Sequence, residues 1–216
     1  NNTWPPGERH RAVTVRGVVG EAPDSWPTRG GSSIRLSPNL EQATFVSRPN
    51  RFAAIMRMGG GREVTAHVAN SGRLEELLTP ENPMLLAKAP DGTGRKTEYD
   101  LVLVETDGVL VSADARLPNT LVREAVADGR IPELSGYEDI ASEVTFDDSR
   151  FDHLLSGRRG LCYVEVKSVT LVRHGAGLFP DAPTERGRKH VTALSKAVGE
   201  GHRAAVVFVI QRPDAE

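Results

Sequence analysis

The chain has 216 residues and a net charge of −2, so it is long enough for one large domain or two small ones and is not basic overall. Its composition is that of an ordinary globular α/β or α+β protein. It does not indicate a nucleic-acid-binding protein, although a local basic surface is compatible with it. No stretch has the length of a transmembrane helix and no signal peptide is recognisable, so we expect a cytoplasmic location and no membrane partner. The single cysteine, Cys162, cannot form an internal disulfide, which favours a reducing compartment.

The first 35 residues differ in composition from the rest of the chain. They are rich in Pro, Gly, Arg and Ser, which predicts a flexible N-terminal extension over residues 1–35. Residues 11–19 have the pattern of a strand but no obvious partner nearby.

Residues 36–110 contain five short stretches that predict strands, separated by Gly-rich or Pro-containing turns. These stretches are 43–48, 52–58, 63–68, 84–88 and 99–105. Five short strands of this kind favour a small OB-like barrel, and the domain boundary is expected within residues 106–118. Many barrels of this type bind oligonucleotides and many do not, so the fold alone does not decide the function.

Two loops of the predicted barrel carry basic residues. Asn70 and Arg73 could contact a phosphate through side chains and backbone N–H groups, and Arg95 and Lys96 could add positive charge to the same face. The alternative is that Asn70 and Ser71 cap the following helical turn and that the Arg95–Lys96 pair is simply solvated.

Residues 111–216 predict a second, mixed α and β domain. Its elements are a helix over 119–129 capped by Asn119 or Thr120, a helix or turn leading into a strand over 135–145, a helix over 184–198 and a strand over 204–210. The apolar stripe of the 184–198 helix is predicted to be Val191, Leu194 and Val198. The preceding strand, this helix and the apolar 204–210 strand indicate a β–α–β crossover between parallel strands.

Two further strands, 149–155 and 162–170, are joined by a Gly-rich turn and predict a hairpin. Glu165 and Lys167 stand two residues apart in an otherwise apolar strand, so both side chains lie on one face. Such residues are rarely buried without a partner. In an antiparallel hairpin, Asp152 of the first strand would converge with Glu165 at one end of the sheet.

This acid–acid–lysine set suits a divalent-metal phosphodiesterase site. Asp152 and Glu165 would supply the hard oxygen ligands that Mg²⁺ prefers, and Lys167 would orient water or stabilise charge on a phosphate. Glu143, just ahead of the Asp152 strand, could add a carboxylate or could be an exposed acid at a helix end. The alternative for Glu165 and Lys167 is an ordinary cross-strand charge pair. His67, His153 and His202 lack a second ligand at suitable spacing, so no zinc site is predicted.

The first turns of the 184–198 helix are basic. Arg186, Lys189 and His190 lie near its N-terminus, where positive charge opposes the helix dipole. A bound anion such as a phosphate backbone would explain them. A solvated charged face, partly offset by Glu185, is the alternative.

The order of elements in the second half resembles the PD-(D/E)xK nuclease core, and several segments resemble the sugar fermentation stimulation protein A (SfsA) family. The core of the second resemblance is Tyr163-Val164-Glu165-Val166-Lys167, and further segments lie at 70–78, 95–102, 133–137, 142–144, 149–152 and 179–190. The resemblance implies an α+β/α/β chain with an N-terminal OB-like barrel, a PD-(D/E)xK nuclease-like mixed-sheet domain and DNA binding. It also implies that residues 1–35 extend beyond the family's usual start and that the C-terminal end is truncated at Glu216.

Two functions follow as hypotheses. The first is an Mg²⁺- or Mn²⁺-dependent nuclease acting on DNA or RNA, with Asp152 and Glu165 as metal ligands and with Lys167 and Glu143 assisting. The second is a non-catalytic DNA-binding regulator of sugar metabolism genes that uses a nuclease scaffold. In both, the residues expected to contact nucleic acid are Asn70, Arg73, Arg95, Lys96, Arg186, Lys189 and His190. The sequence leaves the oligomeric state open.

Overall fold

The structure is a computed structural model that describes residues 39–90, 94–180 and 184–215, together with the backbone of residues 13–16. The strands of the first domain are β2 (Leu40–Asn50), β3 (Ala53–Met58), β4 (Glu63–His67), β5 (Pro83–Lys88), β6 (Tyr99–Thr106) and β7 (Val109–Ser112). The second domain contains β1 (Val13–Arg16), α1 (Leu117–Ala127), a 3₁₀ turn (Pro132–Leu134), β8 (Asp139–Phe146), β9 (Ser149–Gly157), β10 (Gly160–Val169), β11 (Val172–Arg173), β12 (Ala176–Gly177), α2 (Glu185–Gly199) and β13 (Arg203–Ile210).

Strands β2 to β6 close into a five-stranded barrel. The order is β4-β3-β2-β5-β6, and a parallel pairing of β4 with β6 closes it, with His67 opposite Asp100. All five strands were predicted from the sequence, and in β3, β4 and β5 every second side chain enters the core. Leu74 and Leu77, in the turn after β4, fill the same core. The OB-like barrel is therefore confirmed.

β7 adds a sixth strand to this sheet. It pairs antiparallel with β6 from Thr106↔Val109 to Leu103↔Ser112, so the barrel sheet continues two residues past residue 110. The backbone of Ala115 then donates to Ala69 O at 3.0 Å, which ties the start of the second domain to the loop after β4.

The second domain is a five-stranded mixed sheet with a helix on each face. The strand order is β1-β13-β10-β9-β8, with β10 and β13 parallel and β8, β9 and β10 antiparallel. α1 packs on the face that carries Leu155, Val164 and Val207, and α2 packs on the face that carries Phe151 and Tyr163. α2 connects the parallel strands β10 and β13, as the β–α–β pattern predicted.

β1 lies inside the segment 11–19 that has a strand pattern. Its partner is β13, to which it pairs parallel from Val13↔Val207 to Arg16↔Ile210. A partner nearly two hundred residues away cannot be found by local pattern. The remainder of residues 1–35 lies outside the described residues.

Two details of the predicted elements are settled by the structure. α1 begins at Leu117, with Arg116 as its N-cap, and not after Asn119 or Thr120. Pro118 occupies the first turn, where its missing N–H has no cost. Of the two alternatives for 135–145, the structure has a turn leading into the strand β8, and Glu143 lies within that strand and not at a helix end.

The buried face of α2 also differs from the predicted stripe. It is formed by His190, Ala193, Leu194 and Ala197. Val191 and Val198 are 41% and 46% exposed. Small alanines allow the helix to lie close to the sheet, and hydrophobicity alone does not reveal this. Among the described helices, none is long and apolar enough to cross a membrane.

Candidate active site

Three carboxylates occupy neighbouring strands at one level of the second sheet. The β8–β9 register includes Ser142↔His153 and Val144↔Phe151, which places Glu143 opposite Asp152. The β9–β10 register ends at Val164↔His153, one step before Glu165 would face Asp152. Glu143 has a left-handed φ of 59°, so the backbone is distorted at this level. The regular β9–β10 pairing therefore stops at the level where the hairpin was expected to bring Asp152 and Glu165 together.

Asp152 is held by two donors from different elements. The backbone N–H of Val166 on β10 donates to Oδ2 at 2.7 Å, and the Asn119 side chain on α1 donates to Oδ1 at 2.7 Å. Each carboxylate oxygen has two lone pairs, so each keeps one after these bonds. The carboxylate is thus fixed in orientation but still able to accept another partner.

Glu165 is the buried acid of the site. Its side chain is 5% exposed, and Oε1 is hydrogen-bonded to Lys167 Nζ and lies 2.5 Å from His190 Nδ1 of α2. Oε2 is also buried and has no hydrogen-bond partner among the described residues. The Glu165–Lys167 pair lies on one strand face as predicted, but Glu165 is buried and Lys167 half-buried, so it is not the exposed charge pair of the alternative interpretation.

A small pocket of about 110 Å³ opens beside Asp152. Its lining residues come from α1, β8 and β9 and are Asn119, Thr120, Arg123, Ser142, Glu143, Asp152 and His153. Glu143 therefore shares a cavity with Asp152, although its carboxylate also forms an ion pair with Arg150.

His153 is one of the residues that line this pocket. Its Nε2 lies 3.0 Å from the Asn119 carbonyl, so Nε2 carries the hydrogen and donates, while Nδ1 lies 3.2 Å from Ser142 Oγ, which donates to it. Burial lowers the pKa of His153, with the Asn119 bond and the Asp152 charge acting in the opposite direction. The imidazole is thus held neutral. Arg123 also donates to Ser142 Oγ, at 3.0 Å.

Asn119 and His153 were not predicted as site residues. Asn119 was interpreted as a helix cap, because its position at a helix start explains it equally well. His153 directly follows Asp152, but a single histidine without a ligand partner at regular spacing gives no chemical signal. Only the contact between α1 and β9 brings them together.

The basic residues of α2 divide into different environments. His190 is buried against Glu165 and does not lie on the surface where a phosphate contact was predicted. Arg186 is exposed, and its Nε lies 3.5 Å from His190 Nε2, at the edge of the site. Lys189 is half-exposed and pairs with Asp148 at 2.7 Å.

The predicted contacts of the barrel also differ among themselves. Arg95 makes two hydrogen bonds to Asp100, at 2.7 and 3.0 Å. Burial alone would raise the pKa of Asp100, but the bonds and charge of Arg95 hold that pKa below its ordinary value. Lys96 is exposed. Asn70 Oδ1 accepts from Gly72 N at 2.9 Å, which forms a local turn, and Arg73 is 66% exposed.

The donor set is compatible with a divalent cation. Within residues 39–90, 94–180 and 184–215, no group of three or more His, Cys, Asp or Glu side chains is arranged to hold a metal. Asp152 and Glu165 nevertheless offer hard oxygen atoms, and the buried Glu165 Oε2 lacks a donor. Mg²⁺ needs only one or two carboxylates because it keeps several waters.

The fold is that of a two-domain protein with an N-terminal OB barrel and a C-terminal mixed-sheet domain. Two family models match it: the "SfsA N-terminal OB domain" over residues 46–113 and the "Sugar fermentation stimulation protein RE domain" over residues 116–216. The chain belongs to the SfsA family.

Relatives and a solved structure agree with this assignment. The sugar fermentation stimulation protein homolog of Desulforamulus reducens is 47% identical over 82% of this chain and 73% of its own length. That of Moorella thermoacetica is 48% identical over 84% of this chain and 78% of its own length. The structure of Pyrococcus furiosus SfsA in complex with Ca²⁺ superposes with a TM-score of 0.75 at 31% identity, over 83% of this chain and 76% of that one.

Proposed function

We propose that the chain is a metal-dependent nuclease that hydrolyses phosphodiester bonds in DNA. The observation that carries this proposal is Glu165, a carboxylate with 5% exposure that keeps one oxygen without a hydrogen-bond donor among the described residues. A buried, incompletely paired charge is costly, and such groups are typical of functional sites. A cation at this position would supply the missing partner.

Asp152 and Glu165 would hold the cation, and the bound cation would polarise the phosphate and lower the pKa of the attacking water. Asp152 is oriented for this role by Val166 N and the Asn119 side chain. Lys167 is 20% exposed and hydrogen-bonded to Glu165, so its ammonium group can reach the mouth of the site. There it would orient the water or donate to a phosphate oxygen.

Arg186 would hold a phosphate at the edge of the site. It is exposed at the start of α2, next to His190, which in turn contacts Glu165. His190 would orient the Glu165 carboxylate from the side of α2, as hydrogen-bond partners of metal ligands commonly do. The Ca²⁺ bound by the Pyrococcus furiosus relative supports a divalent-cation site in this family.

The test is cleavage of labelled single- and double-stranded DNA and RNA with Mg²⁺ or Mn²⁺ and with EDTA. We expect metal-dependent cutting that is lost in Asp152→Asn and Lys167→Met. Asp139→Asn, an exposed acid at the start of β8, is the matched control and is expected to cut normally. Cutting that persists in both site variants would overturn the assignment of these residues.

Metal binding is measured separately, by the rise in melting temperature that Mn²⁺ or Ca²⁺ produces. A cation that binds only the folded state stabilises it, and this rise should be absent in Glu165→Gln. An equal rise in wild type and Glu165→Gln would place the cation elsewhere.

The second candidate is a DNA-binding protein that keeps this scaffold without cleavage. Both oxygens of Asp152 already accept hydrogen bonds, and Lys167 is already paired with Glu165, so the site is satisfied to a large extent within the chain. No cutting of any substrate, combined with salt-sensitive DNA binding in the wild type and both variants, would favour this function.

A further inference from the structure

Phe52 is an exposed aromatic ring at the tip of the β2–β3 hairpin. Its side chain belongs to none of the described core clusters, and the residue is 51% exposed. Among the residues that the structure describes, the other phenylalanine with comparable exposure, Phe179, contacts Phe208 with a centroid distance of 5.3 Å. Phe52 therefore presents a large apolar surface to solvent that the barrel does not use for its own packing.

The backbone that carries this ring is fixed at both ends. Phe52 N donates to Asn50 Oδ1 at 2.9 Å. Phe52 O accepts from Val68 N at 2.9 Å and lies 3.0 Å from His67 Nδ1. An exposed aromatic on a backbone held by three hydrogen bonds loses little conformational freedom when a ligand binds.

Arg48 joins this hairpin tip to the loop after β4. Its guanidinium donates to Arg51 O at 2.7 Å, to Asn70 O at 3.0 Å and to Gly72 O at 2.9 Å, and it also bonds Arg73 O. One half-buried arginine thus clamps two loops together by donating to their backbone carbonyls. The consequence is that the side chains of Arg51, Phe52 and Arg73 are presented from one end of the barrel.

Two arginines lie on the loops that Arg48 joins. Arg51 is exposed, and Arg73 is 66% exposed and pairs with Glu75 at 3.6 Å. A flat apolar ring beside guanidinium groups matches a ligand that combines a planar face with negative charge. Nucleotides have this combination, and an aromatic face can stack on any base that is not paired in a duplex.

We propose that Phe52, flanked by Arg51 and Arg73, is a stacking platform for an unpaired base of a single-stranded nucleic acid. Arg48 acts as the positioning residue that holds the two loops together. The proposal rests on the proposed function, which it deepens by making the substrate single-stranded at the barrel.

A chain of contacts connects the platform to the candidate active site. Ala69, beside the clamped loop, accepts a hydrogen bond from Ala115, and Arg116 occupies the N-cap position of α1. Asn119 in the first turn of α1 donates to Asp152. A strand bound at the hairpin tip would therefore lie at the end of the barrel from which the chain enters the catalytic domain.

The experiment measures binding by fluorescence anisotropy with EDTA present, using the full chain. The probes are a labelled oligothymidylate of twelve nucleotides, the same oligomer with abasic sites throughout, and a duplex of equal length. The variants are Phe52→Ala, Phe52→Leu, Phe52→Trp, Arg51→Gln and Arg73→Gln, with Arg57→Gln as a charge control on β3. Arg57 is 54% exposed and pairs with Glu63 near the other end of the barrel.

We expect Phe52→Ala to weaken oligothymidylate binding by about 5- to 150-fold, the loss typical of one stacked base. Phe52→Leu, which keeps apolar bulk but has no aromatic face, should be as weak as Phe52→Ala, and Phe52→Trp should bind at least as tightly as the wild type. Binding of the abasic oligomer should be equal in all Phe52 variants. Arg51→Gln and Arg73→Gln should each weaken binding of both oligomers, and Arg57→Gln should weaken neither.

Three results would overturn the proposal. One is unchanged oligothymidylate binding in Phe52→Ala, and another is wild-type binding in Phe52→Leu, which would indicate a merely apolar contact such as a protein partner. The third is an equal loss for oligothymidylate and abasic oligomer, which would indicate a disturbed loop. Because EDTA prevents metal-dependent cleavage, binding and cutting are measured separately. Phe52-dependent binding without cutting in Mg²⁺ or Mn²⁺ would support the stacking platform and contradict the nuclease. Cutting without Phe52-dependent binding would support the nuclease and contradict the platform.

Discussion

The Asp152 carboxylate accepts the backbone N–H of Val166, at 2.7 Å, at the level where the regular pairing of β9 with β10 ends. A side chain thus replaces a strand carbonyl as the acceptor for a sheet N–H. This arrangement couples the position of the acid to the backbone between Glu165 and Lys167. The site and the sheet are therefore mutually dependent.

The first prediction concerns this bond. Asp152→Ala leaves a buried N–H without its acceptor and should lower the free energy of unfolding by about 1–3 kcal/mol. Asp152→Asn keeps an acceptor oxygen for Val166 N and should cost less. Urea unfolding of the two variants measures the difference, and equal losses would show that the carboxylate contributes nothing specific to the sheet.

The second prediction concerns the contact between α2 and β10. His190→Ala removes a partner from the buried Glu165 carboxylate, and we expect the free energy of unfolding to fall by about 3 kcal/mol. Lys189→Ala, on the exposed face next to it, should change this free energy by less than about 0.5 kcal/mol.

A double-mutant cycle separates the contact from the loss of the ring. In the background of Glu165→Gln, which carries no charge, His190→Ala should be markedly less destabilising. The same cost in both backgrounds would mean that His190 contributes only by packing.

The third prediction concerns the pH dependence of stability. Burial holds the pKa of His153 below its ordinary value of 6.5, so the unfolded state takes up this proton first as the pH falls. The contribution of the neutral imidazole is complete above about pH 6.5 and declines as the pH drops below it, by at most about 1.4 kcal/mol per pH unit.

Comparison with His153→Gln separates the contribution of His153 to the pH dependence of stability from that of the other histidines. Unfolding free energies at about pH 7.5 and about pH 5.5 should differ more in the wild type than in the variant, which has no proton to bind there. Asp152, Glu143 and Arg123 act on the same imidazole and are unchanged in both chains. An identical pH dependence would show that His153 titrates normally in the folded state.

Much of the architecture could be predicted because local pattern decides it. The barrel strands are short stretches, most of them rich in apolar residues, and turns such as Gly59–Gly61 separate them. The acid–acid–lysine set could be found because Glu165 and Lys167 interrupt an apolar strand. These signals require no knowledge of distant residues.

Other features could not be predicted because they depend on tertiary contacts. Asn119 bonds Asp152 only because α1 starts at Leu117, two residues earlier than its polar residues indicated. His190, and not the predicted Val191, lies on the buried face of α2, where it contacts Glu165. The partner of β1 is β13, which no nearby pattern reveals.

The last prediction concerns the basic residues that remain available to a nucleic acid. Arg186 is exposed at the edge of the site, whereas Lys189 is paired with Asp148 and Arg95 with Asp100. If Arg186 contacts a phosphate, Arg186→Gln should reduce the slope of log K against log salt by about one unit. Arg158→Gln is the control of equal charge, on a 94% exposed side chain in the β9–β10 turn, and should leave that slope unchanged. Arg186 and Arg158 carry the same charge but lie in different parts of the domain. Equal slopes of log K against log salt for the two variants would show that only the overall charge matters and that Arg186 does not contact the nucleic acid.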